Sequence, residues 1–134
     1  MKIKDQGTQP IRNEQDIVFA RQACRKLALQ CGLRLVAQTK LVTAVSELAR
    51  NTLIHGGGGD MHWEILEEGV RQGLRVVFTD EGPGIPDLQL AMTDGWTSGG
   101  GLGLGLTGSK RLVNEFELET TPGEGTRITI TQWS

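Results

Sequence analysis

The sequence predicts a single α+β domain spanning residues 1–134, a two-layer sandwich whose mixed, mostly antiparallel sheet carries its helices on one face. Three observations predict it. Apolar residues recur at helical spacing through two long segments near the start of the chain. Period-two alternation then takes over in paired segments, Met61–Ile65 with Leu74–Phe78 and Phe116–Thr121 with Arg127–Trp133. A chain of 134 residues holds one hydrophobic core comfortably and two poorly. Strands adjacent in sequence, with the helices gathered together, argue against a parallel doubly wound sheet.

Taken in order, Met1 to Ile11 accommodates one strand, although Gly7 and Pro10 interrupt its pattern. Asn13 reads as a helix N-cap with Asp16 three residues on. Ile17, Ala20, Cys24, Leu27, Ala28 and Cys31 form the apolar stripe of that first helix, and Gly32 stops it. A second helix runs from about Val36 to Ile54, with Leu41, Ala44, Val45, Leu48 and Thr52 facing inward, and ends at the glycine run Gly56–Gly59. The hairpin follows, turning through the polar stretch Glu67 to Gly73. From Glu81 to Pro86 the chain reads as loop, and Leu88 to Met92 as a short helix. A glycine-rich stretch then leads to a helix near Ser109 to Glu115. The last two strands turn at Pro122-Gly123-Glu124-Gly125.

Composition excludes several classes of function. A net charge of −2 supplies no electrostatic drive toward nucleic acid or an anionic membrane. No apolar run approaches membrane-spanning length and the polar N-terminus MKIKDQGTQP is not a signal peptide, so a cytoplasmic protein is expected. Cys24 and Cys31 lie seven residues apart on one helix, roughly 10 Å between Cα atoms, beyond the reach of a disulfide. They read as small apolar core residues.

Three segments carry chemistry. In Ser46-Glu47-Leu48-Ala49-Arg50-Asn51, Glu47 and Asn51 are four apart and share a helical face away from the Leu41/Leu48 stripe. An amide oxygen there can ligate Mg²⁺, a hard cation, and a carboxylate one turn away can take a proton from an attacking hydroxyl or water. Asp80-Glu81-Gly82-Pro83-Gly84-Ile85 stands where a strand ends. Its aspartate can accept a hydrogen bond from an exocyclic amino group such as that of adenine, where guanine offers a repelling carbonyl. The glycines let the backbone approach a flat base. Gly99-Gly100-Gly101-Leu102-Gly103-Leu104-Gly105-Leu106 precedes a helix, so loop amides and the positive helix end together form an anion site. No Gly-Lys-Ser/Thr follows and no strand immediately precedes, which rules out a P-loop and a dinucleotide fingerprint.

Each segment alone has an ordinary reading: a solvated Glu with an Asn near a helix end, an acidic turn, a flexible linker. Together, in this order, they resemble the N, G1 and G2 boxes of the GHKL superfamily of gyrase, Hsp90-type chaperones, histidine kinases and MutL. The likeness runs from the second helix to the end of the chain, where Gly125-Thr126 matches the family's threonine near adenine. The resemblance implies an ATP-binding fold of that family. Asn51 would be the Mg²⁺ ligand, Asp80 the adenine reader, Gly82, Gly84 and Ile85 the base support, and Thr126 a further contact. Gly99, Gly100, Gly101, Leu102, Gly103, Leu104, Gly105 and Leu106 would line the phosphates, residues 87–100 would form a lid, and Glu47 would be the general base. His55, one turn beyond Asn51, has two readings: a group that approaches the nucleotide, or a polar helix-end residue, which is preferred.

Gyrase- and MutL-like members bring a second domain, and histidine kinases an acceptor histidine on a helical bundle; neither is visible here. The segments Asp94–Gly100 and Gly101–Phe116 most resemble the RsbT-type switch kinases of bacterial stressosomes, with Thr107 and Asn114 departing from the proline and aspartate common there. The implied activity is ATP-dependent phosphorylation of Ser or Thr on a STAS-domain partner, followed by release to activate a downstream phosphatase or other effector. The alternatives are an anti-sigma factor that mainly sequesters a sigma factor, and a non-catalytic nucleotide-gated adaptor.

Overall fold

The computed structural model describes residues 1–84 and 102–134. In chain order they form β1 (Lys2–Ile11), α1 (Glu14–Gln30), α2 (Leu35–Ile54), β2 (Gly59–Glu68), β3 (Arg71–Asp80), α3 (Leu102–Leu112), β4 (Glu115–Thr121) and β5 (Gly125–Trp133). The strands make one sheet in the order β1-β2-β3-β5-β4. All four pairings are antiparallel, with a register shift in β1 between Ile3 and Asp5. No helix among the described residues is long and apolar enough to cross a membrane.

Helix α1 begins and ends where the sequence placed its signals. Asn13 accepts a hydrogen bond from the Asp16 amide at 2.9 Å, which satisfies one of the free amides of the first turn. At the other end the Leu33 amide reaches the Ala28 carbonyl (3.0 Å) and the Gly32 amide the Leu29 carbonyl (3.1 Å), the paired bonds of a Schellman stop. Helix α2 lies between α1 and α3. Its inward stripe, Leu41, Ala44, Val45, Leu48 and Thr52, is buried as the spacing predicts. These side chains meet Met61, Ile65, Leu74, Val76, Phe78, Ile128 and Ile130 from one face of the sheet, with Leu106 of α3 joining the same core. Cys24 and Cys31 are free and buried in it.

Two boundaries differ from expectation. The β2–β3 strands run on through their polar ends, with Glu67 opposite Gln72 and Glu68 opposite Arg71, so the turn is only Gly69-Val70 rather than Glu67 to Gly73. Backbone pairing is indifferent to side-chain polarity on an exposed strand end, and Arg71 and Glu68 form an ion pair at 3.6 Å. Helix α3 starts at Leu102, not near Ser109, and ends at Leu112. Glycine in a helix costs about 1 kcal/mol relative to alanine, but burying Leu106 in the core favours the helix. The short helix expected at Leu88–Met92 and the lid at residues 87–100 lie outside the described residues.

Candidate functional site

The last turn of α2, the C-terminal end of β3 and the first residues of β5 meet in one cleft. Asn51, Thr52, His55, Gly56, Asp80, Gly84, Thr126 and Ile128 line it. Antiparallel pairing of β3 with β5 sets Asp80 directly opposite Thr126. Helix α2 ends above them where the glycine run begins: Gly57 and Gly58 take positive φ (+74° and +102°), and the Gly56 amide bonds the Asn51 carbonyl at 3.1 Å. Ile128, almost fully buried, supplies the apolar side on which a flat ring can rest.

Asp80 is the electrostatic centre of this cleft. Its Oδ1 accepts a hydrogen bond from the Gly82 amide at 2.9 Å. Burial raises its pKa above the ordinary carboxylate value, while backbone hydrogen bonds from Gly82 and Thr126 oppose the rise. A carboxylate fixed by amides and only partly hydrated presents a directed acceptor to the cleft. Gly56 packs against it so closely that a Cβ there would lie 2.4 Å from the Asp80 carboxyl carbon. Gly82 in turn packs against Gly56, where a Cβ would lie 2.7 Å from the Gly56 Cα. Gly84 has φ +74° and presses on the Thr121 carbonyl.

The Asn51 carboxamide nitrogen is buried with no hydrogen-bond partner. Because carboxamide nitrogen and oxygen are exchanged by a half-turn of the side chain, this residue can turn an oxygen to the same unfilled position. That suits a hard cation, so the residues present fit Mg²⁺. No cluster of three or more His, Cys, Asp or Glu able to hold a metal exists among the described residues. Asn51 is thus the residue that would hold such an ion.

The structure thus brings together Asn51, Asp80, Gly84 and Thr126, with Gly82 immediately behind them. Glu47 is exposed, one turn before Asn51 on the same helical face, and does not line the cleft. Leu102, Gly103, Leu104, Gly105 and Leu106 are the opening turns of α3, not a loop. The first four helical amides have no partner inside a helix, so an anion site in this segment would be the helix N-terminus rather than loop amides. The Leu106 side chain belongs to the core. Ile85, Gly99, Gly100 and Gly101 lie outside the described residues.

Sequence reasoning missed three lining residues, Thr52, Gly56 and Ile128, and preferred the helix-end reading for a fourth, His55, which continues the four-residue column Glu47, Asn51, His55. Nothing local marks Ile128, which enters through β3–β5 pairing.

Comparison with known proteins identifies the family. Residues 36–133 match the family model described as histidine kinase-, DNA gyrase B- and HSP90-like ATPase. The chain is 44% identical to the serine/threonine-protein kinase RsbT of Bacillus subtilis, over 98% of both chains. It is 33% identical to the anti-sigma F factor of Clostridium novyi, covering 88% of this chain and 86% of that one. A crystal structure of the RsbU and RsbW domains of a Mycobacterium tuberculosis protein superposes with a TM-score of 0.64 at 18% identity. That match takes in 96% of this chain but only 32% of the other, so the chain spans about a third of that protein, and the likeness is one of fold.

Proposed function

The chain belongs to the histidine kinase-, DNA gyrase B- and HSP90-like ATPase family, and from that premise we propose that it is an ATP-dependent protein serine/threonine kinase of a bacterial partner-switching pathway. It phosphorylates a STAS-domain protein in the cytoplasm and is then released to activate a downstream phosphatase or other effector. The observation that carries the nucleotide site is the convergence of Asn51, Asp80, Gly84 and Thr126 in one cleft. Identity of 44% along nearly the whole length of a serine/threonine kinase supports the choice within the family.

In this reading Asp80 accepts a hydrogen bond from the adenine amino group, while Ile128 and the Gly82–Gly84 backbone support the ring. The free amides of the α3 N-terminus face the phosphates. Asn51 would hold Mg²⁺, which would offset the charge of the phosphates. Glu47 accepts the proton of the partner's hydroxyl as its oxygen bonds to the γ-phosphorus, and the bond to the β-phosphate oxygen breaks to leave ADP. An exposed base suits an acceptor that arrives on another protein, and Glu47 stands exposed on the face that leads to Asn51.

The test is incubation of the purified chain with Mg-ATP and candidate STAS-domain proteins, read by intact mass. One phosphate appears on the partner, and Glu47→Ala abolishes this while retaining ATP; Asn51→Ala weakens Mg-dependent nucleotide binding. Undiminished transfer by Glu47→Ala would remove the base assignment. Pull-down of a sigma factor in place of a STAS protein would favour sequestration, the activity that the name of the Clostridium novyi relative implies.

A further inference from the structure

The β4–β5 turn touches the base-reading loop, residues 80–84, at three backbone points. Thr121-Pro122-Gly123-Glu124 is closed by the Glu124 amide on the Thr121 carbonyl at 2.9 Å, with Gly123 at φ +81°. Proline at the second position and a left-handed glycine at the third define a type II turn. Only the fourth residue's amide is used inside such a turn, which leaves the Gly123 N–H to bond elsewhere. It donates to the Pro83 carbonyl at 2.7 Å. On one side of this bond Gly84 lies against the Thr121 carbonyl, where a Cβ would come within 2.6 Å. On the other, Gly125, at φ +135°, lies against the Asp80 carbonyl, where a Cβ would come within 2.1 Å. The hairpin end is itself braced, since the Thr120 hydroxyl meets the Gly125 carbonyl at 3.2 Å and the Thr126 hydroxyl at 3.1 Å.

We propose that the β4–β5 turn is a backbone clasp on the base-reading loop, and that Gly123 is a positioning residue for adenine selectivity. The inference rests on the nucleotide site proposed above. A loop of five residues leaving a strand end has many conformations. Aiming the Asp80 carboxylate at a base requires one of them, and ordering a residue costs roughly 1–2 kcal/mol. The clasp places that ordering in the nucleotide-free protein. It does so through backbone groups alone, and it ties the loop to β4, an edge strand of the sheet.

The discriminating readout is selectivity, because a merely damaged fold weakens every nucleotide alike. The full chain is titrated with Mg-ATP and Mg-GTP as wild type, Gly123→Pro and Gly123→Asn. Proline removes the donor and cannot adopt positive φ; asparagine keeps the N–H and tolerates the left-handed region. Gly123→Pro is expected to bind ATP about 5- to 10-fold more weakly, the worth of about one hydrogen bond, with GTP affinity changed by less than about twofold. Gly123→Asn should return ATP affinity to within about threefold of wild type. An unchanged ATP-to-GTP ratio in Gly123→Pro overturns the clasp and leaves the nucleotide site standing. Wild type that binds no Mg-ATP overturns both. Should Gly123→Pro fail to fold, hydrogen exchange on wild type decides. The Gly123 amide is expected to be protected without nucleotide and slowed at least about tenfold further by Mg-ATP; exchange at the rate of an open turn refutes the clasp.

Discussion

Adding one methyl group at Gly56 tests the cleft where its tolerances are smallest. Gly56 is not among the glycines with positive φ, so alanine is acceptable to the backbone and the perturbation is purely steric. Its Cβ would lie 2.4 Å from the Asp80 carboxyl carbon and 2.6 Å from Oδ2. Carbon contacts settle near 3.5 Å, so the carboxyl group must move by about 1 Å. It cannot do so and keep its bonds to the Gly82 and Thr126 amides. Losing those bonds costs about 1–2 kcal/mol of stability, offset by about 0.4–1 kcal/mol from the stiffer unfolded chain. The net change is about 0–1.6 kcal/mol. Misaiming the acceptor costs more in binding, because a hydrogen bond to a charged group contributes about 1.5–3 kcal/mol, or about 10- to 150-fold in affinity.

Gly56→Ala should therefore lose ATP affinity out of proportion to its loss of stability. Calorimetric titration with Mg-ATP, set beside urea unfolding of the nucleotide-free protein, measures both. The same substitution in an Asp80→Ala background isolates the route, since the two effects should not add if Gly56 acts through the carboxylate. Affinity within twofold of wild type, or a full additional loss in the Asp80→Ala background, would refute the reasoning.

Further expectations concern two titratable groups. The Asp80 pKa is raised on folding, so the stability tied to its neutral form is complete below the unfolded carboxyl value and is lost as pH rises through the folded one. Near neutral pH, Asp80→Asn should thus leave the nucleotide-free thermal midpoint equal to or above wild type while weakening ATP binding; a clearly lower midpoint contradicts the assignment. Wild-type ATP affinity should in turn fall as acid protonates this acceptor, a dependence absent from the variant in the same titration series. Cys24, buried and with its thiol pushed up to about 12, should resist alkylation in the native protein and react on unfolding. Labelling of native Cys24 at the rate of a free thiol, followed by mass spectrometry, would show that α1 opens readily.

Helices and strands were legible because their signals are local. Asn13 and Gly32 bracket α1, the Leu41–Thr52 stripe fixes the buried side of α2, and alternation marks β2 and β3. Glycine misled the reading of α3. Its helix is held by burying Leu106 in the core, a tertiary effect that outweighs the poor helical preference of Gly103, Gly105 and Gly108. Asn51 and Asp80 could be singled out because the chemistry they offer is distinctive. Gly56 and Ile128 could not, since their place in the cleft is decided by which strands pair and by where α2 stops. Asn114, a departure from the aspartate common in the switch kinases, turns out to be tied to β5: its carboxamide oxygen accepts from the Trp133 amide at 2.8 Å.

The cleft divides its work between two kinds of support. The residues assigned to the base, Asp80, Gly82, Gly84 and Thr126, sit at strand ends and in a loop held by backbone contacts to Gly56, Thr121 and Gly125. Side chains there contribute little to the shape, so the architecture itself fixes the geometry of recognition. Glu47, Asn51 and His55 instead stand in one column on α2, and their position depends on how that helix packs. Because α2 runs between α1 and α3 and buries Leu41, Val45 and Leu48 completely, the column rides on a helix packed on both sides by its neighbours. An exposed Glu47 can therefore be rigidly placed without being buried itself. That combination lets a protein substrate approach from solvent without the proposed base losing its aim.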